Sequence, residues 1–228
     1  MRVVISRECL ANMVDHTLLK AYVMDDDFME LCKQADAYGF KMVAINPAAV
    51  EVCKKALADS PVHVGAAVGF PLGQTTLECK IFETRDAIEK GADEIDYVIN
   101  IVQLKNKNYS YIKKEMQSIK DICAAKNVIC KVILETCYLT GEEIIQVCEI
   151  AKEVKPDFVK TSTGFGTDGA TLEYVRLMKQ VVGDAVEVKA AGGIRDLDTA
   201  LAMVEAGATR LGTSAGIAII QEYDKRFK

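Results

Sequence analysis

The chain has 228 residues, of which half are hydrophobic and about a quarter are charged. Acidic residues outnumber basic ones, which gives a formal net charge of −5 at pH 7. This composition is that of a globular protein and argues against a disordered or collagen-like chain. The mild acidity also argues against a nucleic-acid-binding protein, which usually carries a basic stripe.

The sequence shows neither a secretory signal nor an apolar run close to the ~20 residues of a membrane span. Its eight cysteines form no CxxC pair, and most of them lie inside apolar runs. We expect most of these cysteines to be buried free thiols, because disulfides belong to oxidising compartments. We therefore expect a cytoplasmic protein that binds neither membranes nor nucleic acid.

Short apolar runs alternate with amphipathic helical stretches along the chain. The runs predict eight strands, at residues 14–18, 42–46, 64–70, 95–100, 128–136, 158–161, 186–189 and 210–213. The stretches between them predict helices at residues 29–38, 48–58, 77–91, 109–126, 141–154, 171–182 and 197–207. The acidic run Asp25, Asp26 and Asp27 is typical of the capped first turn of a helix.

This alternation, with one βα unit about every 28 residues, indicates a parallel sheet with right-handed crossovers. A closed (β/α)₈ barrel and an open doubly wound sheet both fit the pattern. Eight units in 228 residues favour the barrel, and the lack of a GxGxxG in the first unit argues against a dinucleotide-binding sheet. We predict an α/β protein with one (β/α)₈ TIM-barrel domain, residues 1–228, and a short N-terminal extension.

Chemistry in such barrels lies at the carboxyl ends of the strands. The polar residues predicted there are Asp15, Asn46, Asp96, Asn100, Lys131, Glu135, Lys160 and Lys189. Lys160 and Lys189 come late in consecutive strands, where mutual repulsion and desolvation should favour a neutral, nucleophilic amine. The alternative is that each lysine reaches solvent or pairs with a carboxylate. Asp96 is the natural partner, either as a structural ion pair or as a proton carrier, and Lys131 and Glu135 can complete the network.

The last three strand-to-helix turns are rich in small residues, at residues 161–166, 192–193 and 212–216. Such turns expose backbone N–H groups beside helix N-termini, so they favour a phosphate site, although glycine also serves ordinary tight turns. The only two histidines, His16 and His63, are not spaced as metal ligands, and we expect His63 to be structural. We predict neither a metal nor a cofactor. The residues alone therefore suggest an imine-forming enzyme for a small phosphorylated carbonyl compound.

The same residues resemble the 2-deoxy-D-ribose-5-phosphate aldolases, a family of class I aldolases. The resemblance runs in the family's order from residue 15 to residue 216, through DHTLLK, GFPLG, GADEID, KVILET, KTSTGFG, KAAGGIR and GTSAG. It implies a (β/α)₈ barrel that reversibly cleaves 2-deoxyribose 5-phosphate to glyceraldehyde 3-phosphate and acetaldehyde.

The resemblance also implies a role for individual residues. Lys160 matches the Schiff-base lysine, Lys189 the lysine that perturbs it, and Asp96 the carboxylate that moves protons. Thr17 matches a substrate-side residue, and the phosphate turns are matched by Gly164, Gly192, Gly193, Gly212 and Ser214. Lys131 is assigned a supporting role.

Three departures from the family pattern touch none of the catalytic positions. Ala44 stands where the family often has cysteine, Val102 and Gln103 stand where many members have Gly-Ala, and the C-terminal tail around Tyr223 is assigned no role. Another Schiff-base barrel enzyme, such as a transaldolase, and a phosphate-sugar-binding barrel without turnover remain alternatives. As a partner we expect a small sugar phosphate, and as an assembly a homo-oligomer, either a dimer or a tetramer.

Overall fold

The computed structural model describes residues 5–227. Its eight strands are β1 (Val14–Leu18), β2 (Met42–Ile45), β3 (His63–Val68), β4 (Glu94–Val98), β5 (Ile129–Ile133), β6 (Phe158–Lys160), β7 (Glu187–Ala191) and β8 (Arg210–Thr213). Each strand pairs in parallel with its neighbours in chain order, and β8 pairs with β1. The sheet is therefore a closed (β/α)₈ barrel, as predicted, and not an open doubly wound sheet.

The helices are α1 (Arg7–Ala11), α2 (Asp25–Tyr38), α3 (Val50–Ala56), α4 (Leu77–Glu89), α5 (Ile101–Lys105), α6 (Tyr109–Ala124), α7 (Gly141–Val154), α8 (Leu172–Val182), α9 (Leu197–Glu205) and α10 (Gly216–Phe227). The main apolar core fills the layer between these helices and the barrel. None of the helices within residues 5–227 is long and apolar enough to cross a bilayer.

Helix α2 begins at Asp25, four residues before the predicted start. The carboxylate of Asp27 accepts a hydrogen bond from the Met24 backbone N–H at 2.8 Å, so the acidic run caps the first turn as expected. Helices α1, α5 and α10 were not predicted. The first four residues of the predicted N-terminal extension lie outside the described residues, whereas α1 belongs to its described part.

Five predicted strands were too long at their carboxyl ends, by one residue for β2 and β6, by two for β3 and β4 and by three for β5. Strand β3 stops at Val68 because Gly69 turns the chain with a φ of 58°. Strand β5 stops at Ile133, and Glu135 then takes a left-handed conformation before the short 3₁₀ turn Thr136–Tyr138. Apolar residues continue into both turns, so hydrophobicity alone could not locate the strand ends.

Five of the eight cysteines are buried free thiols, namely Cys32, Cys53, Cys123, Cys130 and Cys148. Most of the cysteines are thus buried, as expected, whereas Cys9 and Cys79 are exposed and Cys137 is half-buried. Cys9 and Cys79 occupy equivalent places in the first turns of α1 and α4, where their backbone N–H groups bond to the capping side chains of Ser6 and Thr76. At these places the thiols face solvent and not the core.

Candidate active site

The interior of the barrel is lined with charged side chains. Seven buried groups from six strands form what we call the ionic core: Asp15, Glu94, Asp96, Lys131, Lys160, Lys189 and Arg210. Because side chains alternate between the two faces of a strand, Glu94 and Asp96 on β4 both point inward. Gly212 on β8 makes room for one of these long side chains, because a Cβ there would lie 3.3 Å from the Cε of Lys189.

Asp96 is the centre of the ionic core. Its Oδ1 lies 2.5 Å from the Lys131 amine, and its Oδ2 lies 2.7 Å from the Lys160 amine and 2.6 Å from the Lys189 amine. Burial opposes ionisation of this carboxyl, but the surrounding lysines hold the pKa of Asp96 well below its usual range. Asp96 is therefore an anion that three amines share.

Lys160 is the amine whose proton is held most weakly. Burial, with a further contribution from the positive charge of Lys189, outweighs the attraction of Asp96 and lowers the pKa of Lys160 from 10.5 to about 8. Lys131, which contacts both Asp96 and Glu94, has its pKa raised by these carboxylates in spite of its burial. The expected weakening of the Lys160 ammonium is thus present, together with the carboxylate pairing that was its alternative.

Glu94 and Arg210 extend the ionic core toward the N-terminal end of the barrel. Arg210 contacts Asp15 and lies 2.8 Å from Glu94, while Lys189 bridges Asp15, at 2.5 Å, and Asp96. The roles of Glu94 and Arg210 were missed from the sequence. A signal was present for Glu94, which shares strand parity with Asp96, but Arg210 opens its strand and gives no local pattern.

Glu135 does not join the ionic core, contrary to expectation. Its carboxylate accepts hydrogen bonds from both the backbone N–H, at 3.1 Å, and the hydroxyl of Thr163. Glu135 lies beyond the end of β5 with a φ of 56°, so strand parity with Lys131 no longer sets its direction. It supports the turn after β6 instead.

A cavity of about 870 Å³ opens at the carboxyl ends of the strands, with Lys160 in its lining. The cavity also brings together the six other residues predicted for substrate or phosphate binding, namely Thr17, Gly164, Gly192, Gly193, Gly212 and Ser214. Asp96, Lys131 and Lys189 are not among its lining residues. A molecule in the cavity can therefore reach the amine of Lys160, whereas the carboxylate and the other lysines act from behind it.

A tight turn after β7 brings backbone toward the cavity. Gly192 and Gly193 have φ values of 85° and 80°, a region that side chains disfavour. A Cβ at Gly192 would also lie 3.0 Å from the Cα of Gly169. Helix α10 starts two residues after Ser214, so the positive end of its dipole lies at the same rim. Together with Lys20 and Arg195 in the lining, these groups favour an anion.

The sequence profile described as DeoC/LacD family aldolase matches residues 9–222. This chain belongs to that family. It is therefore an aldolase, an enzyme of the aldehyde-lyase class. The ionic core and the cavity both fall within the matched residues.

The similar proteins include deoxyribose-phosphate aldolases from several organisms. The deoxyribose-phosphate aldolase of Bacteroides thetaiotaomicron is 60% identical over 219 residues, which cover 96% of this chain and 92% of that protein. The deoxyribose-phosphate aldolase of Lactobacillus acidophilus is 57% identical over 218 residues, with coverages of 96% and 92%. A solved tetrameric structure, the deoxyribose phosphate aldolase of Aeropyrum pernix, gives a TM-score of 0.90 at 29% identity and covers 96% of this chain and 92% of that chain.

The departures of this DeoC/LacD aldolase from the family pattern lie outside the ionic core. Ala44 is buried on β2, opposite Thr17. Val102 is exposed on α5, whose first turn is capped by Asn100. The hydroxyl of Tyr223 donates to the Ile5 carbonyl at 2.8 Å, so the end of α10 is attached beside α1, ahead of the first strand.

Proposed function

We propose that this aldolase reversibly cleaves 2-deoxy-D-ribose 5-phosphate to D-glyceraldehyde 3-phosphate and acetaldehyde through an imine on Lys160. The observation that carries the proposal is the state of Lys160: a buried amine with a pKa of about 8 that faces a cavity with an anion-favouring rim. Deoxyribose-phosphate aldolases at 57% and 60% identity support the substrate. An amine that is neutral in part near pH 7 is a nucleophile for an aldehyde.

The proposed reaction starts at the aldehyde carbon, C1. The neutral Lys160 amine adds to C1, the adduct takes up a proton delivered through water, and a water molecule leaves. A protonated imine remains, whose positive charge Asp96 can stabilise from 2.7 Å. Because acetaldehyde contains two carbons, the bond that breaks is C2–C3. The C3 hydroxyl loses its proton, C3 becomes the aldehyde of glyceraldehyde 3-phosphate, and the electron pair of the broken bond forms an enamine with the imine.

The second half of the reaction returns the enzyme. The enamine takes a proton at C2, and water hydrolyses the resulting imine. Acetaldehyde is released, and Lys160 is again a free amine. We assign the proton transfers to Asp96 with a bridging water. Burial lowers the Lys160 pKa most, and we assign to Lys189 a further contribution to that lowering, with Lys131 in support. General acid–base help of this kind typically contributes 10²–10⁴-fold.

The phosphate group is assigned to the turns at the cavity rim. Thr17 is placed on the substrate side, and the phosphate is placed against Gly164, Gly192, Gly193, Gly212 and Ser214. Anchoring the phosphate there orients the other end of the sugar toward Lys160, which reduces the entropic cost of attack.

Reductive trapping tests the imine. The protein is mixed with 2-deoxyribose 5-phosphate, reduced with borohydride and mapped by peptide mass spectrometry, with Lys160→Met and Lys131→Met as paired variants. The expected result is an adduct on Lys160 that is lost in Lys160→Met and kept in Lys131→Met, with acetaldehyde released without reductant. An adduct on Lys131 or Lys189 would overturn the assignment, and an adduct without acetaldehyde release would indicate another sugar-phosphate aldolase. No adduct in a folded sample would contradict the imine.

We also infer a homo-oligomer, either a dimer or a tetramer. The tetrameric structure of the Aeropyrum pernix enzyme supports this inference. Light scattering coupled to size exclusion should give a mass of two or four chains, and a stable single-chain mass at micromolar concentration would contradict it.

A further inference from the structure

The ionic core contains four basic groups and only three carboxylates. Lys131, Lys160, Lys189 and Arg210 are all buried, and so are Asp15, Glu94 and Asp96. Arg210 keeps its charge in any protein environment. If every lysine were protonated, the core would carry one uncompensated positive charge, and an unpaired buried charge is costly. One of the three lysines is therefore disfavoured as an ammonium, and the contacts decide which one.

The contacts to carboxylates are distributed unequally. Arg210 contacts Asp15 and Glu94, Lys131 contacts Glu94 and Asp96, and Lys189 contacts Asp15 and Asp96. Each of these three cations thus has two carboxylate partners. Lys160 contacts Asp96 alone, and the oxygen that it contacts, Oδ2, is the one that Lys189 also uses. Lys160 is the group left without a carboxylate of its own.

We propose that Glu94 and Arg210 are positioning residues whose ion pair, at the N-terminal end of the barrel, determines that Lys160 is the lysine that gives up its proton. This inference rests on the proposed role of Lys160. Arg210 contacts one carboxylate oxygen of Asp15, and Glu94 contacts the Lys131 amine. The carboxylate oxygens that remain are divided between the three lysine amines. Neither residue lines the cavity, so both act on the substrate through Lys160.

Side chains from three other strands contact Glu94, Arg210 or Lys131. On β3, the Nδ1 of His63 lies 2.7 Å from Glu94, and its Nε2 lies 3.3 Å from the Lys41 amine. On β2, the sulfur of Met42 lies 3.4 Å from the Lys131 amine. The ring of Phe158 on β6 lies 5.3 Å from the Arg210 guanidinium.

The proposal predicts shifts of opposite sign for the two partners. Arg210→Gln removes a positive charge, balances the remaining lysines and should raise the pH at which Lys160 becomes neutral. Glu94→Gln removes a negative charge and should lower that pH. For charges separated by about two strand spacings, each shift should be about one pH unit. Loss of packing alone would give no such opposition of sign.

Competitive labelling measures Lys160 directly. The protein is treated with trace acetic anhydride from pH 6 to pH 10, and acetylation of the Lys160 peptide is quantified by mass spectrometry; the pH profile of kcat/KM is recorded in parallel. We expect the labelling midpoint to rise in Arg210→Gln, to fall in Glu94→Gln, and to return near the wild-type value in the double variant and in Arg210→Lys. A matched control is Glu115→Gln, which breaks the buried Lys80–Glu115 pair outside the barrel and should leave the midpoint unchanged.

Shifts of the same sign in the two single variants, or no shift in folded samples, would overturn the proposal. If Arg210→Gln does not fold, a fall in Glu94→Gln that the double variant reverses supports it, and a midpoint that stays unchanged in Glu94→Gln overturns it. Labelling requires neither the sugar phosphate nor an imine, so failure of the proposed reaction would be seen separately in the trapping experiment.

Discussion

Replacing Lys160 with methionine should stabilise the protein at neutral pH while it removes the reactive amine. In the unfolded chain the amine has a pKa near 10.5, whereas in the barrel the pKa is about 8. At pH 7 both states carry the ammonium, so folding buries a charge. As the pH rises from 8 to 10.5 the native state loses its proton first, and the cost disappears.

The magnitude follows from the size of the shift. A change from 10.5 to about 8 corresponds to about 3 kcal/mol of folding free energy at pH 7. At pH 10 about 1 kcal/mol of this cost remains, because the native amine is then neutral and the unfolded one only partly protonated. Asp96 keeps Lys131 and Lys189 as partners in the variant, so it is not left as an isolated charge.

Urea unfolding followed by circular dichroism at pH 7, 8, 9 and 10 gives the required free energies. The advantage of Lys160→Met over the wild type should shrink by about 2 kcal/mol across this range. Lys131→Met is the matched control. The pKa of Lys131 is raised and its ammonium stabilises the fold, so this variant should be less stable than the wild type. A difference between Lys160→Met and the wild type that stays constant from pH 7 to pH 10 would refute the reasoning.

Three further predictions concern the neighbours of Lys160. Lys189→Met should raise the Lys160 pKa, so kcat/KM below pH 8 should fall by at least about tenfold and recover in part above pH 9 in a pH-rate profile. Gly192→Ala, at a φ of 85°, should destabilise the fold by about 1–2 kcal/mol and raise KM for the phosphorylated sugar, measured in initial-rate assays, more than it lowers kcat. Glu135→Gln weakens the support of Thr163 and should likewise raise KM, while reductive trapping of acetaldehyde on Lys160 continues at the wild-type rate; loss of trapping would place Glu135 in the chemistry itself.

The barrel, its strand order and the set of cavity residues could be predicted because they depend on patterns that a sequence carries. A repeating βα unit implies parallel strands, whose carboxyl ends then place Lys160 and the glycine turns at one mouth, with Asp96 inside the barrel behind Lys160. The direction of the Lys160 pKa shift also followed, since burial in the barrel and a second lysine on the adjacent strand both favour the neutral amine.

The remaining features depend on distant contacts that no local pattern reveals. Arg210 opens a strand, yet its long side chain reaches Asp15 and Glu94, 195 and 116 residues away in sequence. Glu135 continues an apparent strand, but its backbone turns left-handed and redirects the carboxylate to Thr163. Each carboxylate of the ionic core contacts more than one basic group, and the closed barrel decides which ones. These contacts could be known only from the three-dimensional structure.

The glycines inside the barrel limit how far this interior can be redesigned. A methyl group on Gly65 would come 2.3 Å from the Met42 sulfur, and one on Gly212 would come 2.8 Å from the Ala191 Cβ and 3.3 Å from Lys189. Larger side chains at these positions would therefore displace Lys189 and also Met42, whose sulfur contacts the Lys131 amine. Directed evolution of this enzyme toward other aldehydes should therefore tolerate substitutions better at the rim of the cavity than in the barrel wall beneath it. In the wall, a larger side chain at these glycines requires a smaller neighbouring side chain.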